Sequence, residues 1–144
     1  DQIMRIFVGS DVHGSSANVE RFFATVDAYR AQHGDAKVVL LGDIYNHGPR
    51  NPLPEGYAPM KVAERLNASK DYVTLVHGNC DSEVDQMITE FEIRPDFSLQ
   101  WGERRLFFTH GHKCNPDLPC KEQKGATWCF TGIFTKRTFV KPTE

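Results

Sequence analysis

Four short apolar runs constrain this chain most: Ile6-Phe7-Val8, Val38-Val39-Leu40-Leu41, Val73-Thr74-Leu75-Val76 and Leu106-Phe107-Phe108. Each is followed, within three residues, by a side chain able to bind a cation: Asp11, Asp43, Asn79 and His110, with His13 just beyond Asp11. A brief β-branched or apolar run bounded by Gly and polar residues reads as a strand buried on both faces. In open α/β sheets ligands gather at the carboxyl ends of such strands. Every candidate ligand lies at that end, so the repetition predicts an α/β fold with one shared site.

Between the runs the pattern changes period. Ser15 to Gln32 carries Val19, Phe22, Phe23, Val26 and Tyr29 at three-to-four-residue spacing, the apolar face of a helix, and Gly34 stands where a helix stop is expected. The segment Tyr45 to Pro59 holds Pro49, Pro52, Pro54 and Pro59 with Gly48 and Gly56, too interrupted for regular structure and placed directly after Asp43. A helix from Met60 to Asn67, a strand from Tyr72 to Val76, a short helix starting near Ser82 and a strand from Arg104 to Phe108 follow. Glu83, Asp85 and Glu90 read as the polar face of that short helix, and Phe91 and Phe97 as core.

The 144 residues carry a formal net charge of −2, which argues against a nucleic-acid module with a large phosphate footprint but not against a small phosphate substrate. No apolar stretch approaches the roughly 20 residues of a membrane span, and no signal pattern opens the chain, so a cytoplasmic protein is expected. Cys80, Cys114, Cys120 and Cys129 are expected as reduced thiols, three of them falling in the last third of the chain.

Taken singly, Asp11-Val12-His13, Gly42-Asp43 and Gly78-Asn79-Cys80-Asp81 are ordinary turn sequences. Together, two carboxylates, two imidazoles and an amide oxygen delivered by separate strand ends supply mixed O/N ligands for two first-row divalent ions. Two ions about 3.5–4 Å apart activate a water and neutralise phosphoryl oxygens, which suits phosphoryl chemistry. A different reading takes His110, His112, Cys114 and Cys120 as a zinc cluster in a small interaction module, although their spacing matches no familiar finger.

The series Asp11-Val12-His13-Gly14, Gly42-Asp43, Gly78-Asn79-Cys80-Asp81 and Thr109-His110-Gly111-His112 resembles the calcineurin-like metallophosphoesterases, within which the small bacterial phosphodiesterases are most similar. The resemblance implies a four-layer α/β/β/α sandwich and a metal-dependent phosphodiesterase in which a metal-activated hydroxide attacks the phosphodiester at a dinuclear site. It implies Asp11, His13 and Asp43 at one ion, with Asp43 bridging to a second held by Asn79 and His110; His112 is the next candidate. Manganese is the expected metal, with zinc or nickel as alternatives, and a small phosphodiester the expected partner. Asn79 and Cys80 are carried over as catalytic residues. Cys80 stands where the wider family has a His that assists the leaving group, so substrates with aryl or other good leaving groups are implied. Apart from the resemblance, Asn46, His47 and Arg50 on the loop after Asp43 read either as contacts to a phosphate or its substituent or as turn residues with Arg50 in solvent.

In the family a later Gly-His-x-His element adds a ligand to each ion, whereas no histidine follows His112 in this chain. The expected organisation is therefore residues 1–112 as the N-terminal part of the phosphoesterase domain and 113–144 as a divergent, irregular tail. Back-translation of Ala126 to Lys136 in a shifted frame permits Asp-Leu-Val-Phe-Tyr-Gly-His-Ile-His-Lys. A frame change between about Lys113 and Gly125 accounts for that, and the coding DNA decides it. This carries two further expectations: an impaired remnant of the enzyme, and an incomplete second sheet whose bare apolar face promotes aggregation or a homo-oligomer.

Overall fold

The computed structural model describes residues 5–49, 52–114, 121, 125–126 and 128–132. Its first sheet contains four parallel strands in the order β1 (Arg5–Gly9), β2 (Ala36–Leu40), β3 (Val73–Val76) and β4 (Ile93–Arg94). The chain passes between them through α1 (Ser16–His33), α2 (Pro59–Ala68) and α3 (Glu83–Ile88). Ser15 caps α1, its hydroxyl accepting from the Asn18 N–H, and Gly34 ends it in a left-handed conformation. No helix among the described residues is long and apolar enough to cross a membrane.

The alternation along β2 shows why its run is apolar throughout. Val38 and Leu40 pack with Val19, Phe23 and Val26 of α1 and Val62 and Leu66 of α2, whereas Val39 and Leu41 face the other way, against Leu106 and Phe108. The second sheet, in the order β5 (Phe97–Trp101), β6 (Arg104–Thr109) and β7 (Trp128–Thr131), supplies that other layer. β5 and β6 form a hairpin whose two-residue loop begins with Gly102 at φ 62°, and β7 runs parallel to β6. The α/β sandwich is as expected, with its second sheet at three strands.

Two expectations are corrected here. Residues 128–131, assigned to an irregular tail, form β7 in register with Leu106 to Thr109. The outward face of the second sheet is also not bare where it can be described: Phe107 and Cys129 are buried there with Cys114 and Ala126. β6 is paired on both sides, by β5 and β7, and Phe107 on it packs with Cys129 of β7.

Candidate metal centre

Beyond the ends of β1 and β2 the two loops continue to bond to each other. The N–H groups of Asp11, His13 and Gly14 donate to the carbonyls of Gly42, Asp43 and Ile44, at 3.2, 2.8 and 2.7 Å. From the second sheet, the Gly132 N–H donates to the His110 carbonyl at 2.9 Å, tying the end of β7 to the residue that leaves β6. Four strand ends thus meet at one place.

There the side chains of Asp11, His13, Asp43, Asn79 and His110 converge. His13 Nε2 lies 3.4 Å from Asp11 Oδ1, and His110 Nε2 lies 3.4 Å from Asp43 Oδ2 and 2.7 Å from Asn79 Oδ1. Two groups satisfy the spacing of a cation's ligands, each with its ligand atoms within 4.8 Å of one another: Asp11 with Asp43 and His110, and His13 with Asp43 and Cys80. Asp43, the residue common to both, is buried.

Both imidazoles are turned by backbone carbonyls. His13 Nδ1 donates to the Asn46 carbonyl at 2.9 Å and His110 Nδ1 to the Leu41 carbonyl at 2.6 Å, which leaves each Nε2 lone pair facing the carboxylates. A second ring nitrogen bonded to a carbonyl is the usual orientation of a metal-binding histidine. With Nδ1 held by the Leu41 carbonyl, His110 Nε2 faces Asn79 Oδ1 and Asp43 Oδ2, a nitrogen and two oxygens gathered at one point. That donor set fits a divalent cation.

The backbone is bent to achieve this. Asp11, His13 and Asp43 have φ of 56°, 50° and 53°, and they are the non-glycine residues in the left-handed region among those described. An L side chain there costs about 1–2 kcal/mol, least for Asp, Asn and His, and such strain gathers at functional sites. Gly42 and Gly78 permit the approach of two loops: a Cβ on Gly42 would lie 2.6 Å from the Gly78 backbone, and one on Gly78 would lie 2.3 Å from Asp43 Oδ1.

Three residues outside the expected ligand set hold the site together. Asp81 is buried and accepts from the N–H groups of Asp43, Ile44 and Gly78 at 2.8, 2.9 and 2.7 Å, clamping the second loop to the third. Asn46, expected near substrate, instead turns inward, its amide donating to the Cys80 carbonyl at 3.0 Å and to Asp85 Oδ2 at 3.3 Å. Asp85, expected on a solvated helix face, is buried and also accepts from the Ser82 N–H at the start of α3. The signal available beforehand was only that Asp81 closes the Gly-Asn motif.

The other expected residues have mixed placements. The Cys80 N–H donates to Asp43 Oδ1 at 2.8 Å, and burial together with the Asp43 carboxylate pushes its thiol above the ordinary range. The His112 ring lies 5.3 Å from that of His110, and its buried Nδ1 has no hydrogen-bond partner among the described residues; burial, then His110, holds its pKa below the usual value. The His47 ring meets Tyr57 edge-on at 5.3 Å. Arg50 and Cys120 lie outside the described residues. Cys114 is disulfide-bonded, which corrects the expectation of reduced thiols there; Cys80 and Cys129 are free. A disulfide sulfur is no thiolate, so the zinc cluster of His110, His112, Cys114 and Cys120 is withdrawn.

The profile of the calcineurin-like phosphoesterase superfamily domain matches residues 4–132. The chain belongs to that superfamily. It is 50% identical over 123 residues to phosphodiesterase YfcE of Escherichia coli strain K12, and equally to YfcE of E. coli O157:H7, an alignment covering 84% of this chain and 65% of each relative. The solved structure of YfcE, described as a phosphoesterase from E. coli, superimposes with a TM-score of 0.73 at 48% identity over 81% of this chain and 63% of that one. A conserved protein of Streptococcus pneumoniae TIGR4 shares the fold at 21% identity, with a TM-score of 0.50 over 88% of this chain and 59% of its own. The superfamily match runs through β7 to Gly132, consistent with β7 as part of the sandwich.

Proposed function

We propose that this chain carries the catalytic centre of a phosphodiesterase that hydrolyses small phosphodiesters with good leaving groups, using two divalent cations. One observation carries the reading: five side chains from four strand ends converge around Asp43, with both imidazoles held through Nδ1 so that each Nε2 faces the carboxylates. Asp11 and His13 would hold one ion, Asn79 and His110 the other, and Asp43 both; manganese suits a set rich in oxygen ligands, with zinc or nickel as alternatives. When bound, such a pair lowers the pKa of a coordinated water and neutralises charge on the phosphoryl oxygens.

The chain's own groups account for the rest. Asp43 is steadied by the Cys80 N–H, so the shared carboxylate keeps one orientation through the reaction. In hydrolysis a water oxygen forms a bond to phosphorus while the bond to the leaving oxygen breaks, that oxygen keeping the electron pair. A thiol raised above its ordinary range protonates a departing alkoxide poorly under mild conditions, which favours aryl and similarly stable leaving groups. His47 and Arg50 are proposed on the substrate side of the loop after Asp43.

A second reading, an impaired form of the same enzyme, is favoured by the absence of histidine from Ile133 to Glu144. Hydrolysis of bis(4-nitrophenyl) phosphate with added Mn²⁺ tests both. The first reading expects metal-dependent turnover abolished by chelator and by Asp43→Ala, with two ions bound; the second expects turnover near background with at most one ion bound. Turnover unaffected by chelator and by Asp43→Ala contradicts both.

A further inference from the structure

Tyr57 is an exposed aromatic ring on a firmly bonded backbone. It is 37% exposed and joins none of the apolar clusters among the described residues. The segment that carries it is nonetheless tied along its length to the residues directly after His13. Ser15 and Tyr57 pair in antiparallel register. The Ser15 hydroxyl donates to the Glu55 carbonyl at 2.6 Å, the Ser16 N–H to the Gly56 carbonyl at 2.9 Å, and the Ala58 N–H to the Gly14 carbonyl at 2.8 Å. We propose that Tyr57, with His47, forms an aromatic wall that receives the substituent remaining on phosphorus after hydrolysis, and that this wall selects diesters in which that substituent is a planar aryl group. The inference rests on the reading of the centre as a phosphodiesterase site and adds to it a specificity-determining residue.

Local geometry puts the ring on the His13 side of the centre. Gly14, the residue after His13, has φ 77°, and a Cβ there would lie 2.5 Å from Tyr57 Cε2 and 2.9 Å from Cδ2. The edge of the ring therefore occupies the space a side chain at position 14 would fill. Gly56 turns the chain into place with φ 66°, where a Cβ would lie 2.9 Å from Ala17 Cβ. The His47 ring meets Tyr57 at 5.3 Å and 80°, and His47 directly follows Asn46, whose carbonyl accepts from His13 Nδ1 at 2.9 Å. Two rings at a right angle offer a third ring both a face and an edge, at centroid distances of about 4.5–7 Å. A large aromatic side chain left exposed on an ordered backbone forgoes its own burial, which a planar ligand restores. In the proposed reaction the leaving oxygen departs on the Cys80 side, on the loop after β3. Tyr57 and His47 belong to the loop after β2, docked on the loop after β1, which leaves them for the other substituent. An alkyl group has no π face to set against them, so the wall discriminates aryl from alkyl esters of the same charge.

The test is calorimetric binding of phenyl phosphate and ethyl phosphate, each carrying only the substituent that stays on phosphorus, to the full chain loaded with Mn²⁺. The parent is expected to bind phenyl phosphate about tenfold tighter than ethyl phosphate. Tyr57→Leu, which keeps bulk but not the ring, should erase that preference by weakening phenyl phosphate about tenfold, whereas Tyr57→Phe should retain it. Equal or reversed affinities in the parent overturn the aromatic wall and leave the phosphodiesterase reading standing. So do a Tyr57→Leu chain that keeps the parent's preference or weakens both esters alike, and a preference lost in Tyr57→Phe. Binding of neither ester to the Mn²⁺-loaded parent overturns both.

Discussion

Asp81 holds three backbone N–H groups from two loops, and no other acceptor among the described residues is bonded to them. Removing a buried acceptor leaves its donors to bear their own desolvation, about 1–3 kcal/mol each. Asp81→Ala is expected to cost at least about 3 kcal/mol in urea unfolding of the metal-free chain, with Asp81→Asn, which keeps one oxygen, falling between. The motif letters were legible in the sequence, but this task was not, because the donors of Asp43 and Ile44 lie about forty residues earlier and backbone groups leave no trace in composition. Cys129 offers a residue-scale pH test. Burial pushes its thiol up to about 11 from an ordinary 9, so between those values the folded chain holds a proton that the unfolded chain has lost. Stability is therefore full below about pH 9 and falls as pH rises toward 11. Urea midpoints at pH 8 and pH 10.5 should show this decline, and Cys129→Ala should show a smaller one.

Elements with long or strongly periodic patterns were legible: β1, β2, β3, β6, α1 and α2 all fall within two residues of their expected bounds. What was missed has little pattern to read. β4 is two residues long at a sheet edge, and β7 is four residues whose strand character comes from pairing with β6 rather than from its own sequence. β5 alternates Phe97, Leu99 and Trp101 with Ser98 and Gln100, a period-2 signal present but short. Whether β7 carries weight is measurable, because Phe130 stacks on Phe108 at 4.7 Å and 10° in the layer between the sheets. Phe108→Ala, fully buried, is expected to cost about 3–5 kcal/mol, and Phe130→Ala, half-buried, about 2–3 kcal/mol. If Phe130→Ala proves silent in denaturant unfolding while Phe108→Ala does not, β7 is not an integral strand.

At the scale of the whole molecule, two sheets deliver their strand ends to one point, and the strained turns there make sense only if something is gained by the convergence. The fold class and the meeting of ligand types could be read from the strand-end pattern, and the resemblance implied the sharing of Asp43, but the inward bonds of Asp81, Asn46 and Asp85 that hold the loops required coordinates. A cation that binds only the folded chain stabilises it by mass action, about 2.7 kcal/mol per site at a hundredfold excess over Kd. Mn²⁺ is thus expected to raise the melting temperature by roughly 5 °C or more, and Asp43→Ala to show no rise. The most direct measurement is metal content by mass spectrometry on monodisperse protein loaded with Mn²⁺ and desalted. The account predicts two ions per chain, and none in Asp43→Ala because both positions depend on that carboxylate. A parent chain holding one ion or none, or an Asp43→Ala chain that still holds two, would contradict it.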